Sequence, residues 1–222
     1  MVTYSPTIET LNNNVAGVIG KMTLGIFVTM VAAGLLSTAG LVPVLFSGVV
    51  GWIIVFLPLV MSLGLMWRGE TLSTQGIKLW FFAFAGAMGI SLSLLFHAYT
   101  SASIVMALAG TTTSFGALAA WGYFTKRDIS SWGSFLFAGV FGLIVVGLFN
   151  IWLDSSALQM TLNVLAIVIF LGLTAYDMNR IRNMLWFSSE NVEKLQWFGA
   201  LSLYINFINI FVSMLQLFGN RE

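Results

Sequence analysis

Residues 164–182 read VLAIVIFLGLTAYDMNRIR, and this stretch decides the fold. Its apolar residues run on without the alternation that a half-buried strand would show. Aliphatic side chains lead into Thr174, Ala175 and Tyr176 before the first charge, Asp177. A hydrocarbon core about 30 Å thick takes roughly 20 such residues as a helix. The stretch therefore reads as a membrane-crossing helix that delivers one carboxylate to its inner mouth.

The rest of the chain has the same character. Of 222 residues, 59% are hydrophobic and 8% are charged, where a soluble domain carries about 25% charge. Seven apolar runs are present, at 22–39, 46–67, 77–96, 102–124, 132–153, 158–177 and 195–218. With lipid as the solvent, every backbone N–H and C=O must be paired inside the chain, which leaves helices or a closed barrel. Continuous runs select helices. The expected fold is an all-α integral membrane protein with seven transmembrane helices. A short cytoplasmic segment over 1–20 is expected ahead of a single membrane domain over 21–222.

Basic residues are retained on the cytoplasmic side of a membrane. Lys21, Arg68, Lys78, Lys126, Arg127, Arg180, Arg182 and Lys194 all fall before the first run or around the second, fourth and sixth connections. The first, third and fifth connections hold none. This asymmetry predicts a cytoplasmic N-terminus and, after seven spans, a C-terminus outside, with Arg221 as the exception. The first 20 residues lack a basic stretch followed by a cleavable apolar one, so no signal peptide is expected.

Several functional classes are excluded. A net charge of +1 gives no field that would gather nucleic acid. Zero cysteines exclude disulfides, thiolate metal sites and a cysteine nucleophile. The single histidine, His97, sits at an expected outer helix end, so Ser114 beside Gly116 lacks the positioned base a serine hydrolase needs. Small residues at Ala83, Ala87 and Ser91, and at Gly116 and Ala120, recur every four residues as close helix packing would require. The hydroxyls of Thr111, Thr112, Thr113 and Ser114 are expected to bond to the preceding turn or a neighbouring helix.

Charge inside a span is costly and marks function by default. Glu70, Asp128, Asp154, Glu190 and Glu193 fall in connections, which leaves Asp177 as the intramembrane carboxylate. If the sixth and seventh spans form an antiparallel hairpin, Asn206 lies at nearly the depth of Asp177, within about one helical turn. Asn209 shares a face with Asn206 through three-residue spacing. An intramembrane aspartyl protease would need a second aspartate in a span, and none is present. No catalytic residue, and no enzyme, is expected.

The segments GLTAYDMNRIR (172–182), GALSLYINFINIFVSMLQLFG (199–219) and YFTKRDISSWGSFL (123–136) resemble the Bax inhibitor-1 family, in its bacterial branch, and the similarity extends over 15–219. The resemblance implies a bundle in which helices 1 to 6 surround a central helix 7. It further implies a pH-sensitive calcium leak across the cell inner membrane, with calcium as the transported ion and no other cofactor. Some bacterial relatives instead bind a membrane-bound quality-control protease, so a non-conducting binding protein is the alternative. In the leak scheme two aspartates on the last two helices share a proton, and a basic residue from the second helix latches one of them. Asp177 matches the first position, Arg68 the latch, and the second aspartate is replaced by Asn206. Two carboxylates would titrate as a coupled pair; one beside an amide does not. Calcium takes about 6 to 8 oxygens, so Asp177 and Asn206, helped by Asn209, carbonyls and water, imply only a weak calcium site.

Overall fold

The computed structural model describes residues 7–68, 71–188 and 191–221, with the side chains of 66–68 outside that description. Among the described residues are eight helices: α1 Ile8–Thr38, α2 Val42–Leu45, α3 Gly48–Arg68, α4 Thr74–Ala98, α5 Ser101–Phe124, α6 Trp132–Leu153, α7 Ser156–Phe187 and α8 Val192–Phe218. All but the single-turn α2 are long and apolar enough to cross a bilayer, as the seven apolar runs predict.

Local chemistry sets the boundaries. The hydroxyls of Thr7, Ser73, Thr100 and Ser155 accept from the backbone N–H three residues on, at 3.1–3.3 Å, and so cap α1, α4, α5 and α7. Each cap satisfies an orphan donor of a helix start. Between α6 and α7 the chain reverses in two residues. Asp154 takes a left-handed conformation (φ 47°), and Asn150 Oδ1 accepts from the Ser155 amide at 3.2 Å.

One boundary differs from the sequence reading. The segment expected over 1–20 as separate from the bundle is helical from Ile8, and Leu11, Val15 and Val18 are buried. Its polar appearance comes from Asn12, Asn13 and Asn14 on the other faces. At Asn14, both the backbone oxygen and Oδ1 accept from Gln196 Nε2 at 3.3 Å.

The last helix is the most enclosed. Two thirds of the apolar window of α8 is buried, against 11% for α3 and for α6. It packs on α1, α4, α5 and α7, while α3 leans on α4, and α6 on α7. Between α1, α4 and α8, the Thr29 hydroxyl donates to the Ala85 carbonyl at 2.9 Å. Its one proton thus engaged, Thr29 accepts from the Tyr204 hydroxyl at 2.6 Å. One buried threonine thereby joins three spans.

Close approach depends on small residues, but not all of those the spacing suggested. A Cβ on Gly89 would lie 2.6 Å from Ala32 Cβ and 2.8 Å from the Thr29 oxygen, and one on Gly122 would lie 2.2 Å from the Ala175 oxygen. These positions are where α4 meets α1 and where α5 meets α7. The expected row at Ala83, Ala87 and Ser91 is packed in part, with Ala87 buried and Ala83 exposed, and the one at Gly116 with Ala120 is open: Ala120 is exposed, and a Cβ on Gly116 would meet nothing within 4 Å. Periodicity alone does not say which four-residue row faces a neighbour. Thr113 and Ser114 bond back to Ala109 and Gly110, each at 2.8 Å, as expected of hydroxyls in lipid.

At the end away from most basic residues, the residues after α8 are fastened to the α4–α5 connection. Thr100 N donates to the Asn220 oxygen at 3.1 Å, and Asn220 N donates to Ser103 Oγ at 2.9 Å. The Arg221 guanidinium stacks over Tyr99 at 5.5 Å. Gly122→Ala is expected to destabilise the fold by about 1–3 kcal/mol through overpacking. Gly116→Ala should change it by less than about 0.5 kcal/mol. Thermal unfolding of the two variants in detergent checks the contrast.

Candidate functional site

The site is built where α7 crosses α8. α7 is held to the end of α5 on both sides of Asp177. Beyond the Gly122–Ala175 approach, Asn179 Nδ2 donates to the Gly122 oxygen at 3.2 Å. Arg182 donates to the carbonyls of Tyr123 and Thr125, the latter at 3.3 Å. These bonds occupy carbonyls that the end of α5 leaves unpaired, and a cation there is favoured by the helix dipole.

Asp177 is 2% exposed. Its Oδ2 accepts from Ser202 Oγ at 2.7 Å and from Asn206 Nδ2 at 2.8 Å, both on α8. Its Oδ1 lies 3.2 Å from Arg180 Nη2, one turn along α7, yet receives no well-directed hydrogen bond. The Arg180 side chain is 43% exposed, so water screens this ion pair, and the two bonds from α8 are the stronger tie.

The structure thus brings Asp177 and Asn206 together at the depth the hairpin geometry predicts. It does not bring in Asn209, whose amide donates to the Ile205 carbonyl at 2.8 Å. Asn209 instead lines a cavity of about 210 Å³ between α6, α7 and α8, together with Gln159 and Asn163. The Arg68 side chain lies outside the described residues. Because a carboxylate only accepts, the amide nitrogen of Asn206 faces Asp177 and its oxygen faces away. In this arrangement the two do not jointly offer oxygens to a calcium ion, and the described residues hold no group of three or more His, Cys, Asp or Glu suited to a metal.

Two partners escaped the sequence reading, Ser202 and Arg180. Both carried a signal. Arg180 stands three residues from Asp177 on one helix, a facing position. Ser202 begins a row on α8, continuing through Asn206, Asn209, Ser213 and Gln216, with steps of four, three, four and three residues. That spacing keeps a row on one side of a helix. The row spans about 21 Å, fourteen residues at 1.5 Å each. At its far end Gln159 Nε2 donates to Gln216 Oε1 and to Asn163 Oδ1, each at 3.2 Å, and Asn150 Nδ2 donates to Gln159 Oε1 at 3.2 Å. A polar seam therefore runs along the α7–α8 face, with Asp177 at the basic end and a group of carboxamides at the other.

In the connection between α5 and α6, Asp128 is exposed. The Ser130 hydroxyl and amide hold its carboxyl below the usual carboxylate range. It therefore stays ionised through neutral and mildly acidic pH and is a poor sensor there.

Seven apolar spans around a buried carboxylate–amide seam define a polytopic membrane protein whose polar chemistry is concentrated on its last two helices. The chain belongs to the Bax inhibitor-1 family: the family model "Inhibitor of apoptosis-promoting Bax1" matches residues 11–222. It is 36% identical over 220 residues to the inner membrane protein YbhL of Escherichia coli K12, covering 96% of this chain and 93% of that protein. It is 33% identical over 237 residues to protein RP147 of Rickettsia prowazekii, covering both in full. A Caulobacter vibrioides protein is 40% identical over 176 residues, 77% of this chain and 70% of that protein. The similarity to YbhL and the seven apolar helices support a multi-pass inner-membrane location.

Replacing Asn206 by Leu removes one of two donors to a buried oxygen and is expected to cost about 1–3 kcal/mol. In an Asp177→Asn background the cost should fall by at least about 0.5 kcal/mol, because contacting residues couple. Unfolding of the four proteins in detergent gives that coupling.

Proposed function

We propose that this chain is a passive, proton-controlled cation path, with calcium as the cargo, gated where Asp177 ties α7 to α8. The single observation that carries this reading is the polar row on α8, which crosses most of the apolar depth and ends on Asp177. The proposal is passage, not catalysis. The charge asymmetry supports an N-terminus and basic end in the cytoplasm and a C-terminus outside.

In this reading the arrangement described above is the closed one. The cavity beside Asn209 opens the seam in the middle, and the contact of Asp177 with Ser202 and Asn206 blocks it at the basic end. A proton on Asp177 removes the charge facing Arg180 and weakens an acceptor shared by two donors from α8. The closed contact is then favoured by the ionised form, so acidification favours release. Calcium prefers oxygen ligands. Once the tie separates, one carboxylate, amide oxygens and water would meet it weakly, which suits a passing ion. With asparagine at 206, one carboxylate titrates in a single step, not the two steps of a coupled pair.

Flux of calcium, sodium and potassium from proteoliposomes, measured separately against pH, tests the proposal. The parent should leak calcium more at acidic than at neutral pH on the basic side, Asp177→Asn should flatten the profile, and Asn206→Asp should broaden it. An unchanged profile in Asp177→Asn would remove Asp177 as the sensor. Arg68 and Arg180 compete for the latch role; the one whose replacement by Gln shifts the pH midpoint holds it. No flux of any ion, together with co-purification of a membrane-bound protease, would move the chain to the binding class.

A further inference from the structure

A second, larger cavity than the one beside Asn209 lies on another face. α1 and α5 both pack on α7 and α8, and between them they leave an open groove of about 840 Å³, in the range of about 300–1,000 Å³ found for small-molecule sites. Its walls include Ile19 and Phe27 from α1 and Gly116 and Ala120 from α5, and its floor is Met178 and Phe207. From Leu108 to Phe124, sixteen residues at 1.5 Å each, it runs about 24 Å along α5. An apolar slot of that length at the lipid-facing perimeter is shaped for an extended hydrocarbon chain.

One end of the groove is polar. Tyr123 OH donates to Asn12 Oδ1 across it, and α5 ends there at Phe124. Lys126 and Arg127 follow directly, exposed and in no ion pair among the described residues. The Arg182 guanidinium is anchored on the carbonyls of Tyr123 and Thr125. Among the described residues, the acids on α1 and beyond α5 at this end are Glu9 in the first turn of α1 and Asp128, whose carboxylate is engaged by Ser130; on α7 and α8, Asp177 is held by Arg180, Ser202 and Asn206, and Glu193 by Trp197. Each of these acids is engaged or stands on another wall, and the exposed Lys126 and Arg127 stand where a headgroup would emerge.

We propose that this groove is a binding site for one anionic phospholipid, with an acyl chain along Gly116 and Ala120 and the phosphate beside Lys126 and Arg127. The site does not depend on ion passage. It does place a lipid against Met178 and Phe207, the chain neighbours of Asp177 and Asn206. The absence of a side chain at Gly116 keeps the slot open: a Cβ there meets nothing within 4 Å, so a larger residue enters the groove instead of striking the bundle.

The test is native mass spectrometry of the full chain in detergent, titrated with phosphatidylglycerol or phosphatidylcholine of identical acyl chains. One phosphatidylglycerol should be retained under activation that strips phosphatidylcholine. Gly116→Trp should abolish that retention. Lys126→Ala with Arg127→Ala should weaken phosphatidylglycerol by about fivefold per charge removed and leave phosphatidylcholine unchanged; these exposed positions keep the test valid if the tryptophan variant fails to fold. Equal retention of the two lipids, or undiminished retention in Gly116→Trp, overturns the proposal. A change of oligomeric state in Gly116→Trp with lipid still bound would give the groove to a second copy of the chain.

Discussion

A carboxylate as enclosed as Asp177, 2% exposed, must be given its donors chiefly by the protein. Asp177 receives two from α8 and faces a guanidinium from its own helix. That requirement organises the surroundings. α7 must run close to α8, so α7 is drawn tight against α5 at Gly122 and Ala175, where Asn179 and Arg182 use the open carbonyls of α5. The firm side of the site is thus α5 with α7. On the other side α8 is joined at this point by a hydroxyl and an amide.

The two cavities lie against the same helix pair and differ in character. The groove between α1 and α5 is walled by apolar and small side chains. The smaller cavity beside α6 carries Gln159, Asn163 and Asn209. The helix pair therefore has oil on one side and amides on the other. Met178 and Phe207 fill the apolar side while their neighbours Asp177 and Asn206 hold the polar contact.

Much of this was legible in the chain. Continuous apolar runs gave the number of spans, because a helix in lipid needs length and apolarity and little else. The pairing of Asp177 with Asn206 followed from hairpin depth alone. What escaped depended on direction around a helix. Ala83 and Gly116 stand in rows of small residues yet are exposed, while Ala87 is buried and Gly89 and Gly122 make close approaches to neighbouring helices. Asn209 sits three residues from Asn206, yet opens on a different space. The helical start at Ile8 was hidden by three asparagines, residues typical of turns, whose place here is set by the tertiary contacts of Leu11, Val15 and Val18.

The fastening of Asn220 and Arg221 to Tyr99, Thr100 and Ser103 constrains how α8 can move. A helix anchored at one extremity cannot slide like a piston without tearing that anchorage. The other extremity is tied as well, by Gln196 to Asn14 and by the buried Trp197, so a rigid swing about one end is resisted too. Ser202 and Asn206 lie in the stretch between these two fastenings, where a local bend or roll of α8 disturbs neither.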